Sequence, residues 1–90
     1  MELLIFGRKL CQMCQTVEQE MERIVQERQL DLTIRKVDLE DPDGLALAAF
    51  HDVFDPLPTT LLVDNKTLAR WQGQVPPEQE LLSKLGKADA

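Results

Sequence analysis

The sequence predicts an α/β fold: a four-stranded mixed sheet flanked by helices on both faces, with elements in the order β-α-β-α-β-β-α. Three observations predict it. Short apolar runs alternate along the chain with segments of helical periodicity. The first two runs are separated by a long helical stretch, so they should be parallel and joined by a right-handed crossover. The last two are separated only by Asn65-Lys66, a turn signal, so they should form an antiparallel hairpin.

The first run, "ELLIFG", is apolar and ends at glycine, which suits a buried strand. From Cys11 to about Gln29 the spacing turns helical. Cys14, Val17, Met21, Ile24 and Val25 share one face, while Glu18, Glu20, Glu22, Arg23 and Glu27 lie elsewhere and read as solvated. "DLTIRKVDLE" is a second strand, with a slip in alternation between Ile34 and Val37 that suggests a bulge or an early end. "DPDG" opens a second helix, with Asp41 as its cap and Pro42 in its first turn. Leu45, Ala48, Ala49 and Val53 are expected to be its apolar stripe, and His51 a surface group near its end. "TTLLVD" and "TLARWQ" supply the hairpin, with Trp71 expected in packing. In "PPEQELLSKLG", proline starts a last helix, Leu81, Leu82 and Leu85 face inward, and Gly86 ends it.

Ninety residues point to a single domain spanning 1–90. At 43% hydrophobic and 29% charged residues, the chain can bury a core and keep a hydrated surface. Sixteen acidic residues against ten basic ones give a net charge of −6, which argues against nucleic acid or an anionic membrane as a partner. The N-terminal apolar run, Leu3 to Phe6, is too short for a signal peptide, and no window approaches a membrane span. The expectation is a cytoplasmic monomer.

The chain has two cysteines, Cys11 and Cys14, and they form a C-x-x-C. In a reducing compartment such a pair is not expected to be a static structural disulfide. A loop this short would also add little entropic stabilisation. A redox-active dithiol and half of a metal site remain. A closed zinc site wants four ligands, and with one histidine in the chain it would need a second copy, as would a bridged iron–sulfur cluster. Copper chaperones also carry a C-x-x-C at a strand end, but the methionine that precedes theirs is missing and the element order differs.

A C-x-x-C at the end of a first strand and the start of a first helix, inside a βαβ pattern, resembles the thioredoxin superfamily. "FDPLPTTLLVD" is similar to that superfamily's apolar–cis-proline–threonine stretch, with Leu57, Pro58 and Thr59 in those places. Gly73, after the last strand, falls where thioredoxins carry a glycine beside the active-site groove. The resemblance covers about residues 2–86. Because the first strand starts so soon before Cys11, the chain looks most like glutaredoxin and the short glutaredoxin-like electron donors. It departs from both patterns. Leu10 precedes Cys11, and Gln12-Met13 replaces Gly-Pro and Pro-Tyr. Ile5 stands where thioredoxins bury an aspartate, and "QGQVPPE" replaces the segment with which glutaredoxins grip glutathione.

The resemblance implies a dithiol–disulfide oxidoreductase without a cofactor or bound metal. Cys11, at the helix start, would be the nucleophile, its thiolate favoured by backbone N–H groups and the helix dipole. Arg8 and Lys9 would add positive field, and Gln12 and Met13 would set a reducing potential of roughly −200 to −280 mV. Cys14 would resolve the mixed disulfide. Leu57, Pro58 in a cis peptide, Thr59 and Gly73 would receive the substrate chain. The implied partners are protein disulfides and either a thioredoxin-reductase-like or a glutathione electron donor. A glutathione-dependent glutaredoxin, and a metal or iron–sulfur carrier using the same cysteines, are the alternatives.

Overall fold

The protein is described by a computed structural model covering residues 1–54 and 56–86. Its elements are β1 (Glu2–Gly7), α1 (Gln12–Glu27), β2 (Thr33–Asp38), α2 (Pro42–Phe50), β3 (Thr59–Asp64), β4 (Lys66–Gln72) and α3 (Glu78–Lys84). The strands form one four-stranded sheet in the order β2-β1-β3-β4. β1 is parallel to β2 and antiparallel to β3, and β3 is antiparallel to β4. This is the mixed sheet expected from the element order.

The alternation of side chains along each strand divides the core in two. Leu3 and Ile5 of β1, Leu62 of β3 and Trp71 of β4 lie under Val17, Met21 and Ile24 of α1 and Leu81 and Leu82 of α3. Leu4, Phe6, Val37 and Leu61 lie on the other face, with Ala48 of α2 and Val53. Trp71 is buried among the first group, and its indole N–H donates to Glu80 Oε1 at 2.9 Å. α1 therefore packs by the periodic stripe that its sequence contains. Its exposed side carries a charge network in which Arg23 bonds Glu20 and Glu27, and Arg28 bonds Glu78 of α3. The Arg23 guanidinium lowers the Glu20 carboxyl from its ordinary range.

Three expectations are corrected. β2 pairs with β1 in continuous register from Thr33 to Asp38, without a bulge. Ile34 packs toward the α1 face and Val37 toward the α2 face, which is why their spacing read as a slip. The register shift falls instead in the hairpin, between Leu62 and Val63. Second, α2 does not bury Leu45 and Ala49. Leu45 is 55% exposed, and the buried positions of the helix are Gly44 and Ala48, with Leu47 partly covered. "PDGLALAAF" is apolar on every side, so periodicity cannot choose its face. Gly44 chooses it: a Cβ there would overlap the Asp38 carbonyl, so only a glycine lets helix and strand backbones come so close. Third, Asp41 holds the N-cap position but makes no side-chain capping bond, while Asp38 Oδ1 accepts from the Glu40 amide at 2.9 Å. His51 is the C-cap of α2, with its ring edge-on to Phe6 and Phe50.

Candidate active site

β1 ends at Gly7, and the chain crosses three exposed residues, Arg8, Lys9 and Leu10, before α1 begins. Cys11 is the N-cap of α1, in an extended conformation. Its Sγ accepts a hydrogen bond from the Cys14 amide at 3.0 Å. A helix N-terminus leaves backbone N–H groups unpaired, and here one of them is aimed at sulfur. Cys11 and Cys14 are joined as a disulfide, with Cα atoms 5.2 Å apart. Cys11 is half-buried, whereas Cys14 is 1% exposed. One sulfur is open to a partner and the other is reached only through the first.

Two backbone features fit around the pair. Gly7 lies directly beneath Cys14: a Cβ on it would stand 2.7 Å from the Cys14 sulfur. The Leu57–Pro58 peptide bond is cis. β1 and β3 pair antiparallel up to Phe6 and Thr59, which brings the Leu57-Pro58 segment beside the end of β1 and the cysteines. The Pro58 carbonyl accepts from the Gly73 amide at 2.7 Å, with Gly73 at a φ of +68° that suits glycine. Thr59 is fully buried and its hydroxyl donates to the Pro56 carbonyl at 3.0 Å, so its side chain fastens the loop and does not meet a substrate.

An open hollow of about 370 Å³ has Arg8, Leu10, Cys11, Cys14, Glu40 and Leu57 as its lining. It gathers both cysteines and two of the other residues singled out in the sequence, Arg8 and Leu57. Lys9 lines a neighbouring hollow with Gln15, Glu18 and Lys36. Gln12 and Met13 are exposed on the first turn of α1. Pro58 and Gly73 do not line the hollow; Pro58 is buried next to Leu57, and the Gly73 amide bonds its carbonyl. A larger depression, about 430 Å³, lies between the end of β2 and the start of α2 and contains neither cysteine. Among the described residues, no group of three or more His, Cys, Asp or Glu side chains converges as a metal-binding set.

Glu40, Gly7 and Thr60 are parts of the site or its footing that sequence reasoning missed. Glu40 reaches the hollow only because the β2–α2 connection passes the end of β1, where the Leu39 amide bonds the Gly7 carbonyl at 2.9 Å. Thr60 pairs across the sheet with Ile5, one step below Gly7 on the same face. Its hydroxyl is buried without a hydrogen-bond partner among the described residues.

No protein-family profile and no curated protein matches the chain. Solved structures do. Thioredoxin-2 of the malaria parasite is 30% identical over 96% of this chain and 81% of its own, with a TM-score of 0.75. A point mutant of thioredoxin from Halobacterium salinarum NRC-1 is 25% identical over 91% of this chain and 68% of its own, with a TM-score of 0.71. Thioredoxin 1 of Thermosipho africanus TCF52B, at 18% identity, covers 97% of this chain and 92% of its own with a TM-score of 0.73, and agrees in fold. A sheet of this order, with a C-x-x-C at the head of α1 and a cis-proline beside it, defines a thiol–disulfide redoxin. The chain belongs to the thioredoxin superfamily.

Proposed function

We propose that the protein is a cytoplasmic, monomeric, single-domain dithiol–disulfide oxidoreductase that reduces protein disulfides. The observation that carries this reading is the asymmetry of the cysteine pair: an accessible Cys11 sulfur held by a helix-terminal amide, and a buried Cys14 behind it. Hydrogen bonding to the charged form and the helix dipole both favour a Cys11 thiolate, and Arg8 beside the hollow adds to that field.

The chemistry follows in two exchanges. The Cys11 thiolate attacks one sulfur of a substrate disulfide. The other substrate sulfur leaves as a thiolate, and a mixed disulfide remains. Cys14 then gives its proton to water and attacks Cys11 Sγ. The second substrate sulfur leaves and is protonated. Two electrons have passed to the substrate, and the Cys11–Cys14 disulfide is the product form of the protein. A reductase returns two electrons to restore the dithiol. The short spacer makes the second exchange intramolecular. Leu57, at the wall of the hollow, offers its backbone to the substrate chain, with Pro58, Thr59 and Gly73 holding that strand in place. Gln12 and Met13 bring no charge to the turn, consistent with a reducing potential.

Thioredoxin reductase is favoured over glutathione as the donor, because the Gln72-Gly73-Gln74 segment lacks the groups with which glutaredoxins hold glutathione. The test is thiol titration of the reduced protein across pH, with a Cys14→Ser control, followed by turnover with either donor. Cys11 should titrate well below the free-thiol value of about 8.5. Cys14 should stay silent until the protein is denatured. A Cys11 that titrates as a free thiol overturns the reading. Turnover with glutathione alone moves the protein to the glutaredoxin class, and thiols that react only after chelation move it to the metal carriers.

A further inference from the structure

The hollow over the cysteines carries opposite charges. Arg8 lies on the strand-β1 side and Glu40 on the β2–α2 connection. Both are exposed, and among the described residues neither forms an ion pair with the other or with any third group. Lys9 follows Arg8 and also makes no such pair. Arg23, Arg28 and Lys36 are engaged by carboxylates, while Arg35, Lys66 and Lys84 also make no ion pair among the described residues but do not line this hollow. On a chain of net charge −6, Arg8 therefore lines the hollow that holds the half-buried Cys11 with no ion pair among the described residues, and Lys9 lines the hollow beside it. Leu10, 99% exposed, and Leu57 supply apolar surface to the same hollow as Arg8.

We propose that this hollow selects disulfide substrates by the placement of charge along the bound chain. It takes an extended protein segment that brings a carboxylate to Arg8 when its disulfide sulfur meets Cys11. It disfavours one that turns the carboxylate toward Glu40. The substrate class is thus a protein disulfide with an acidic residue on one particular side of the attacked cysteine. Opposite charges at two separate places on one lining recognise a direction, because reversing the segment brings its carboxylate from the cation to the like charge. The inference rests on the reductase reading.

The experiment uses five disulfide-linked peptides of one sequence: Asp two residues before the cysteine, Asp two residues after, Lys at each of those places, and Asn at both. kcat/KM for their reduction is measured with the full chain at low and at high salt. One Asp peptide should be reduced roughly two- to fivefold faster than the Asn peptide, the range of a single exposed charge pair. Its Lys counterpart should be slower, and salt near 0.5 M should compress the ratio toward one, by screening at about that ionic strength. Arg8→Glu should reverse the order at that position. Glu40→Lys should make the other Asp position favourable as well. Rates equal within error for all five peptides at low salt, or an order that Arg8→Glu leaves unchanged, overturn the inference and leave the reductase reading intact. Failure to reduce even the Asn peptide removes the reductase reading, and this inference with it.

Discussion

The two faces of the sheet are covered on different terms. On one, α1 and α3 press Val17, Met21, Ile24, Leu81 and Leu82 into Leu3, Ile5, Leu62 and Trp71. On the other, α2 contributes Gly44 and Ala48 to the interior, while Leu45 is 55% and Phe50 79% exposed. The first contact is made by interdigitating side chains, the second by close approach of backbones. The cysteine pair is mounted on the first. A redox site needs its nucleophile held to within fractions of an ångström through repeated exchange, and a helix keyed by large buried side chains gives that footing.

The comparison can be broken most sharply by equal truncations on the two helices. Ile24→Ala on α1 should cost about 2–5 kcal/mol, since it empties a site that is 1% exposed. Leu45→Ala on α2 should change stability by under about 0.5 kcal/mol. Denaturant unfolding of the two variants checks this, and comparable losses would mean that α2 is anchored through Leu45 after all.

Glycines sharpen the difference next. Gly44→Ala sets a Cβ against the Asp38 backbone, which has no side-chain freedom to yield, and should cost about 3 kcal/mol. Gly7→Ala meets the Cys14 side chain instead and should cost about 1–2 kcal/mol. Only Gly7→Ala should also alter the reactivity of the pair. Thermal unfolding combined with thiol accessibility in both variants distinguishes the two, and unaltered Cys14 burial in Gly7→Ala would contradict the contact.

The smallest effect runs the other way. The Thr60 hydroxyl is buried under α1 without a partner among the described residues, so Thr60→Val should raise stability by about 1 kcal/mol. A loss in the same unfolding measurement would show that the hydroxyl is hydrogen-bonded in solution.

Much of the site was readable along the chain because it is local. The cysteines are three positions apart, the helix cap follows from where a strand stops and a helical stripe begins, and Leu57-Pro58-Thr59 is contiguous. Glu40 was invisible because nothing in its own neighbourhood points to Cys11; the connection from β2 to α2, which passes the end of β1, carries it there. Thr59 read as a surface for substrate because its position next to Pro58 says nothing of its orientation. The pleat turns it toward the α2 face, where its hydroxyl donates a hydrogen bond to the Pro56 carbonyl.

By itself the sequence determined the kind and order of elements, the inward stripe of α1 and the dithiol at its head. Each is written in side-chain period, turn residues or short spacing, which act over a few residues. Tertiary structure alone decided which side of α2 meets the sheet, where the hairpin shifts register, and that Arg8 and Glu40 line one hollow with the cysteines. Those outcomes depend on how closely two distant backbones can approach, and an apolar helix or an isolated charge carries no local record of that distance.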